Sequence, residues 1–128
     1  SLSGTGAFAA EMGARPGSRA VLSQRVDIEA GRIYELSWGA RERVRPGVAR
    51  FTLFVEIFYF DRNNNFVGRT EPRFSQDSIP NDRFQRYSLS TGRVPAGARF
   101  ADVRFTFEPA AANTSSVLID NVELRCRF

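Results

Sequence analysis

An all-β sandwich is the fold class this sequence predicts, and three observations carry the prediction. Hydrophobic content is 42%, with twelve phenylalanines but a single Trp and a single Met, so the core has to be built from aromatic and β-branched side chains that suit pleated strands. Apolar residues recur at every second position in segment after segment, the period of a half-buried strand. Turn signals interrupt these segments every eight to twelve residues or so, with no long helical period between them, a spacing typical of sandwiches and barrels. A chain of 128 residues lies in the size range served by one hydrophobic core. One module over residues 1–128 is therefore expected, with 1–18 as loop or weak edge strand and 19–128 as its core.

The elements follow in order. Residues 1–18, SLSGTGAFAAEMGARPGS, are small and polar apart from Phe8 and Met12. From Ala20 onward Leu22, Gln24, Val26 and Ile28 share one parity, and Glu29-Ala30-Gly31-Arg32 signals a turn. Residues 33–43 place Tyr34, Leu36, Trp38 and Ala40 on one face and Glu35, Ser37, Gly39 and Arg41 on the other. Pro46-Gly47 closes that strand. Residues 49–60, ARFTLFVEIFYF, are apolar on both parities: Phe51, Leu53, Val55, Ile57 and Tyr59 on one, Phe54, Phe58 and Phe60 on the other, with Glu56 among them. Asp61 to Asn65 predicts a tight turn, because Asn and Asp tolerate left-handed backbone and bond to their own main chain. A hairpin then returns through Phe66, Val67 and Gly68. Residues 71–82 carry two prolines and read as the longest irregular loop. Strands are predicted at about 84–91, 99–108 and 116–127, with core parities Tyr87 and Leu89; Val103, Phe105 and Phe107; then Val117 and Ile119, continuing as Val122, Leu124 and Cys126.

Several function classes are excluded or disfavoured. The chain has no His, so the usual general base of a nucleophilic triad is missing. A glycosidase needs two carboxylates roughly 5–10 Å apart across a cleft, and Glu35, Glu56, Asp102 and Glu108 are as well explained by strand-face solubility. Phosphate-binding and dinucleotide glycine patterns are absent. The expectation is a protein that is not an enzyme. Cys126 stands alone, which forbids an internal disulfide and a Cys/His metal site; it is expected to act as a small buried hydrophobe. All eighteen basic residues are arginine and the net charge is +4. They are spread along the chain, unlike the blocks of nucleic-acid arms, so no nucleic-acid partner is expected. No stretch approaches the ~20 apolar residues that span a bilayer, and the N-terminus lacks the basic start and apolar run of a secretion signal. Membrane insertion is not expected.

The succession SGTGA, LSQRVDIEAGRIYELSWGAR, FYFDRNNNFVG, VPAGARFADVRF and VLIDNVEL resembles the jelly-roll carbohydrate-binding modules appended to xylanases, cellulases and bacterial surface proteins. The likeness runs from Ser3 to Leu124. It implies a two-sheet antiparallel jelly-roll β-sandwich, an extracellular or cell-surface location, and a polysaccharide or glycan as partner. In such modules the aspartate of an I-D-N/D-V segment helps to hold a structural calcium ion, and Asp120 is the matching position. Calcium takes six to eight oxygens, and the acid that such modules supply from their N-terminal strand has no counterpart here; Asp120 and Asn121 turning the strand is the competing reading. The modules also usually open with a further strand ahead of the S-G-T segment. Here that sheet position is expected to be filled by SLSGTGAFAAEM folding back beside the last strand. Self-association through an open sheet edge is the alternative.

Sugar-binding modules stack rings on the apolar face of a pyranose and set planar hydrogen-bonders beside them. Trp38 is the largest ring, but its parity with Tyr34 and Leu36 predicts core. The better stripe is Phe54, Glu56 and Phe58, flanked by Ser37, Arg41, Arg86 and Arg104; a covering loop or neighbouring subunit would explain the same stripe. The functional expectation is a non-catalytic module that binds a glycan through a sheet face or edge loops. The competing expectations are a structural or assembly module of a bacterial surface layer, spore coat or fibre, and an arginine-based reader of acidic polymers.

Overall fold

A computed structural model describes residues 9–13, 15, 17–43, 51–70, 74–76, 79–110 and 113–128. Among the described residues the regular structure is entirely β: β1 (Ala9–Met12), β2 (Ala20–Asp27), β3 (Ile33–Arg43), β4 (Phe51–Phe60), β5 (Phe66–Arg69), β6 (Phe74–Gln76), β7 (Gln85–Arg93), β8 (Phe100–Pro109) and β9 (Ser116–Cys126). They make a four-stranded sheet in the order β1-β9-β3-β7 and a five-stranded sheet in the order β2-β8-β4-β5, with β6 also paired to β4. Every pairing is antiparallel. This is the two-sheet β-sandwich that the alternation predicts, with the jelly-roll arrangement that the resemblance implies. No helix among the described residues is long and apolar enough to cross a membrane.

The core lies between the sheets, built from the predicted parities. Leu36, Trp38, Ala40, Val117 and Ile119 of one sheet face Leu53, Val55, Ile57, Val103, Phe105 and Phe107 of the other, and all are buried. Trp38 meets Phe105 edge-on at 5.7 Å and stacks on Tyr87 at 6.0 Å, geometries that add to the gain from burial alone. Tyr34 and Tyr87 are half-buried rather than buried. Tyr34 turns its hydroxyl out to accept the Glu29 N–H at 3.1 Å, and Tyr87 lies on an edge strand. Tyr59 points inward, and burial pushes its phenol up to about 12, slightly offset by the Thr91 hydroxyl.

Two details show how the sequence sets the registers. The parity switch from Val117 and Ile119 to Val122 and Leu124 is a β-bulge: the β3–β9 register shifts between Ser37 and Gly39, and Asn121 takes φ 49°. The Asp61–Asn65 turn is held by the Asp61 carboxylate, which accepts the N–H groups of Asn63 and Asn65, both at 2.9 Å, while Asn64 adopts φ 66°.

Three expectations need correction. Residues 71–82 are not wholly irregular, because β6 pairs Phe74–Gln76 with Val55–Leu53; a three-residue edge strand draws on backbone hydrogen bonds that no side-chain period announces. Cys126 is exposed, since β9 runs past the core to the point where the Arg127 N–H bonds the Ile33 carbonyl at 2.7 Å. Arg41 and Arg86 do not flank the β4 stripe, as described below. The Pro46-Gly47 turn, Phe8 and the Ser-Gly-Thr-Gly segment lie outside the described residues.

The last strand does gain a neighbour from the start of the same chain. Ala9 to Met12 pair with Asp120 to Val117. Met12 is 4% exposed, while Glu11 takes Arg43 at 2.8 Å and the Ser116 hydroxyl at 2.6 Å. Gly13 follows at φ +88°, where a Cβ would stand 2.6 Å from the Phe107 ring, so only glycine lets the chain leave β1 at this point.

Candidate functional site

Because Phe51, Leu53, Val55, Ile57 and Tyr59 face the core, Thr52, Phe54, Glu56, Phe58 and Phe60 project from the outer face of the five-stranded sheet. The register sets Glu56 opposite Arg104, Phe58 opposite Asp102 and Phe60 opposite Phe100. Across β8, Ser23 faces Arg104 and Arg25 faces Asp102. One continuous face thus carries Phe54, Glu56, Phe58, Phe60, Asp102, Arg104 and Arg25.

Its arginines are fixed in place. Arg25 grips Asp102 through two hydrogen bonds, of 2.8 and 3.3 Å, and donates to the Asn64 side chain at 2.6 Å. The Arg104 guanidinium reaches the same carboxylate at 3.4 Å. Both guanidiniums cover rings, Arg104 over Phe58 at 4.4 Å and Arg25 over Phe60 at 4.7 Å. The hydrogen bond from Arg25 holds the Asp102 carboxyl below the usual carboxylate range, and the charge of Arg104 adds to the effect. Phe66 stands beside this layer, 6.3 Å from Phe58 and 6.1 Å from Phe60, and is 57% exposed. It is the most exposed of the described rings on this face.

The sequence-predicted residues have four different outcomes. Phe54, Glu56, Phe58 and Arg104 come together as expected. Arg41 and Arg86 lie on the outer face of the opposite, four-stranded sheet, with Ser37: Arg86 bonds the Ser37 hydroxyl and the Asn121 carbonyl, each at 3.0 Å, and Arg41 lies over Phe84 at 5.4 Å. Parity says which side of its strand a residue occupies, not which sheet the strand joins. Trp38 has no exposed surface and belongs to the core, so it offers no stacking platform. Asp120, opposite Gly39, is half-buried, and among the described residues no three His, Cys, Asp or Glu side chains converge. A lone carboxylate is a poor start for calcium's six to eight oxygens.

Arg25, Asp102 and Phe66 were missed by sequence reasoning. The signal was there for two of them, since Arg25 and Asp102 sit on the non-core parities of β2 and β8. Their meeting depends on β2 and β8 being neighbours, which no local pattern states.

No protein-family model and no curated protein matches the sequence. Among solved structures the chain is similar to the enzymatically active domain of bacteriophage CBA120 tailspike protein 4, at 21% identity and TM-score 0.64, over 98% of this chain and 19% of that one. It is also similar to TmCBM61, solved with β-1,4-galactotriose, at 15% identity and TM-score 0.56, over 93% of this chain and 82% of that one. A third is the N-terminal cellulose-binding domain of Cellulomonas fimi β-1,4-glucanase C, at 18% identity and TM-score 0.53, over 97% and 80% of the two chains. At these identities the likeness is one of fold. The chain has the jelly-roll β-sandwich fold found in carbohydrate-binding modules.

Proposed function

We propose that this is a non-catalytic glycan-binding module, extracellular or at a cell surface, whose ligand lies across the outer face of the five-stranded sheet. The observation that carries the reading is the aromatic, acid, aromatic stripe of Phe54, Glu56 and Phe58 on one face with Arg104, Arg25 and Asp102. Planar donors, a carboxylate acceptor and apolar ring edges are what a hydroxylated ring with an apolar C–H side requires. The fold shared with modules described as binding cellulose or galactotriose supports it. Phe66, as the most exposed ring, is the stacking ring, and Phe58 and Phe60 act through the guanidiniums that cover them.

The test is a panel of β-linked gluco-, galacto- and xylo-oligosaccharides and their polymers, read by glycan array and affinity electrophoresis. At least one should bind, and F66A should weaken it by about tenfold, the loss of one good stacking contact. Retention of full affinity by F66A moves the ligand off this face. A structural calcium ion at Asp120 remains a proposal; added calcium should then raise the melting temperature over that in chelator.

A second reading, an assembly module, has its own support. Among the described residues β7 pairs with β3 alone, leaving a nine-residue edge that a neighbouring copy could extend. Concentration-dependent mass in light scattering, lost on adding Pro within β7, would favour it.

A further inference from the structure

We infer that the ligand is an uncharged, hydroxyl-rich glycan and that Glu56 is the residue that selects it, an inference that rests on the glycan-binding reading above. It starts from a side chain that lacks what its surroundings should give it. Glu56 is a carboxylate in a residue only 8% exposed, on the outward parity of β4 and directly across from Arg104. An opposite-charge cross-strand pair is the expected outcome. Instead Arg104 turns to Asp102 and to the Phe58 ring, and among the described residues Glu56 has neither a hydrogen-bond nor an ion-pair partner. Its oxygens are not among the buried side-chain atoms that lack a partner, so they reach the surface of the sheet. There they offer an acceptor with several lone-pair sites, flanked along the strand by Phe54 and Phe58. Ligand O–H groups can donate into it while C–H groups meet the rings.

The charge layout points the same way. Although the chain is cationic overall, the guanidiniums on β2 and β8 of this face are already committed: Arg25 and Arg104 to Asp102, and Arg19, just before β2, to Glu108 at 3.4 Å. A uronate carboxylate arriving here would have to displace Asp102 from its arginines and approach Glu56. A neutral sugar meets neither obstacle, and the outer N–H groups of Arg104 remain able to donate to its oxygens.

E56Q and E56A, with the wild-type chain, should be titrated against neutral β-glucan, galactan and xylan and against polygalacturonate and heparin, at low and at physiological salt. The expected result is neutral binding insensitive to salt, lost by about tenfold or more in E56A and less in E56Q, which keeps one acceptor oxygen. Both variants should melt at or above the wild-type temperature, because no internal partner is lost. A fall in melting temperature would make Glu56 structural and overturn the inference. So would unchanged affinity in E56A, or tighter, salt-sensitive binding of the uronates. Binding of nothing on the panel by the wild type removes the glycan reading itself, whereas uronate preference leaves that reading standing and removes only this one.

Discussion

Asp102 serves two arginines at once, and this has a pH signature. Its folded pKa lies below the ordinary carboxylate value, so its contribution is present above the unfolded pKa of about 3.9 and is lost as pH falls through the lower folded value. D102N should therefore be less stable than wild type at neutral pH by roughly 0.5–1 kcal/mol, the scale of solvent-screened pairs. The gap should close in acid. Denaturant titrations at neutral and acid pH check this, and a gap of constant size would mean that the asparagine disturbs packing instead. At this scale the sequence was legible wherever one strand's own alternation decides the matter: Trp38, Val55, Ile57, Phe105 and Ile119 are buried as their parities require. It was not legible where two strands must be known to be neighbours. Arg25 meets Asp102 across a separation of 77 residues, and Arg41 and Arg86 were grouped with Phe58 although a whole core lies between the two sheets.

Among elements, β1 carries little signal in sequence yet adds to the core and to the cover of β9. Four residues of small and mixed character, AAEM, carry almost no strand signal, yet Met12 closes one end of the core and Glu11 satisfies a fully buried Ser116 hydroxyl. The sheet position that the resemblance leaves open is what suggests a returning strand, and its pairing with β9 is found from Ala9 onward. M12A should lower stability by about 2–4 kcal/mol, as for other buried large-to-small changes, and deletion of residues 1–12 by more. Urea unfolding of a monomeric sample reads both. An unchanged midpoint in the deletion would mean that β9 does not depend on this cover. The turn at Asp61–Asn65 was legible for the opposite reason, since all of its chemistry is local, whereas β6 was hidden because its hydrogen bonds come from a neighbour.

At the scale of the whole molecule, much of the positive charge is already engaged in pairs on the surface. Binding to heparin should therefore be weak at low salt and absent near physiological salt, where the Debye length is about 8 Å; salt-resistant retention on a heparin column would revive the acidic-polymer reading. The strand order carries a further consequence. β8 is the strand that joins β2 to β4, and β9 is the strand that joins β1 to β3, so each sheet is completed by a piece from the last third of the sequence. While the ribosome is still upstream of residue 100, the emerging β2 and β4 have no shared partner, and β1 has none until β9 appears. The nascent chain must keep its Phe-rich β4 out of contact with other chains throughout that interval, and loss of the final strand to premature termination would leave sticky, unpaired edges rather than a smaller folded unit.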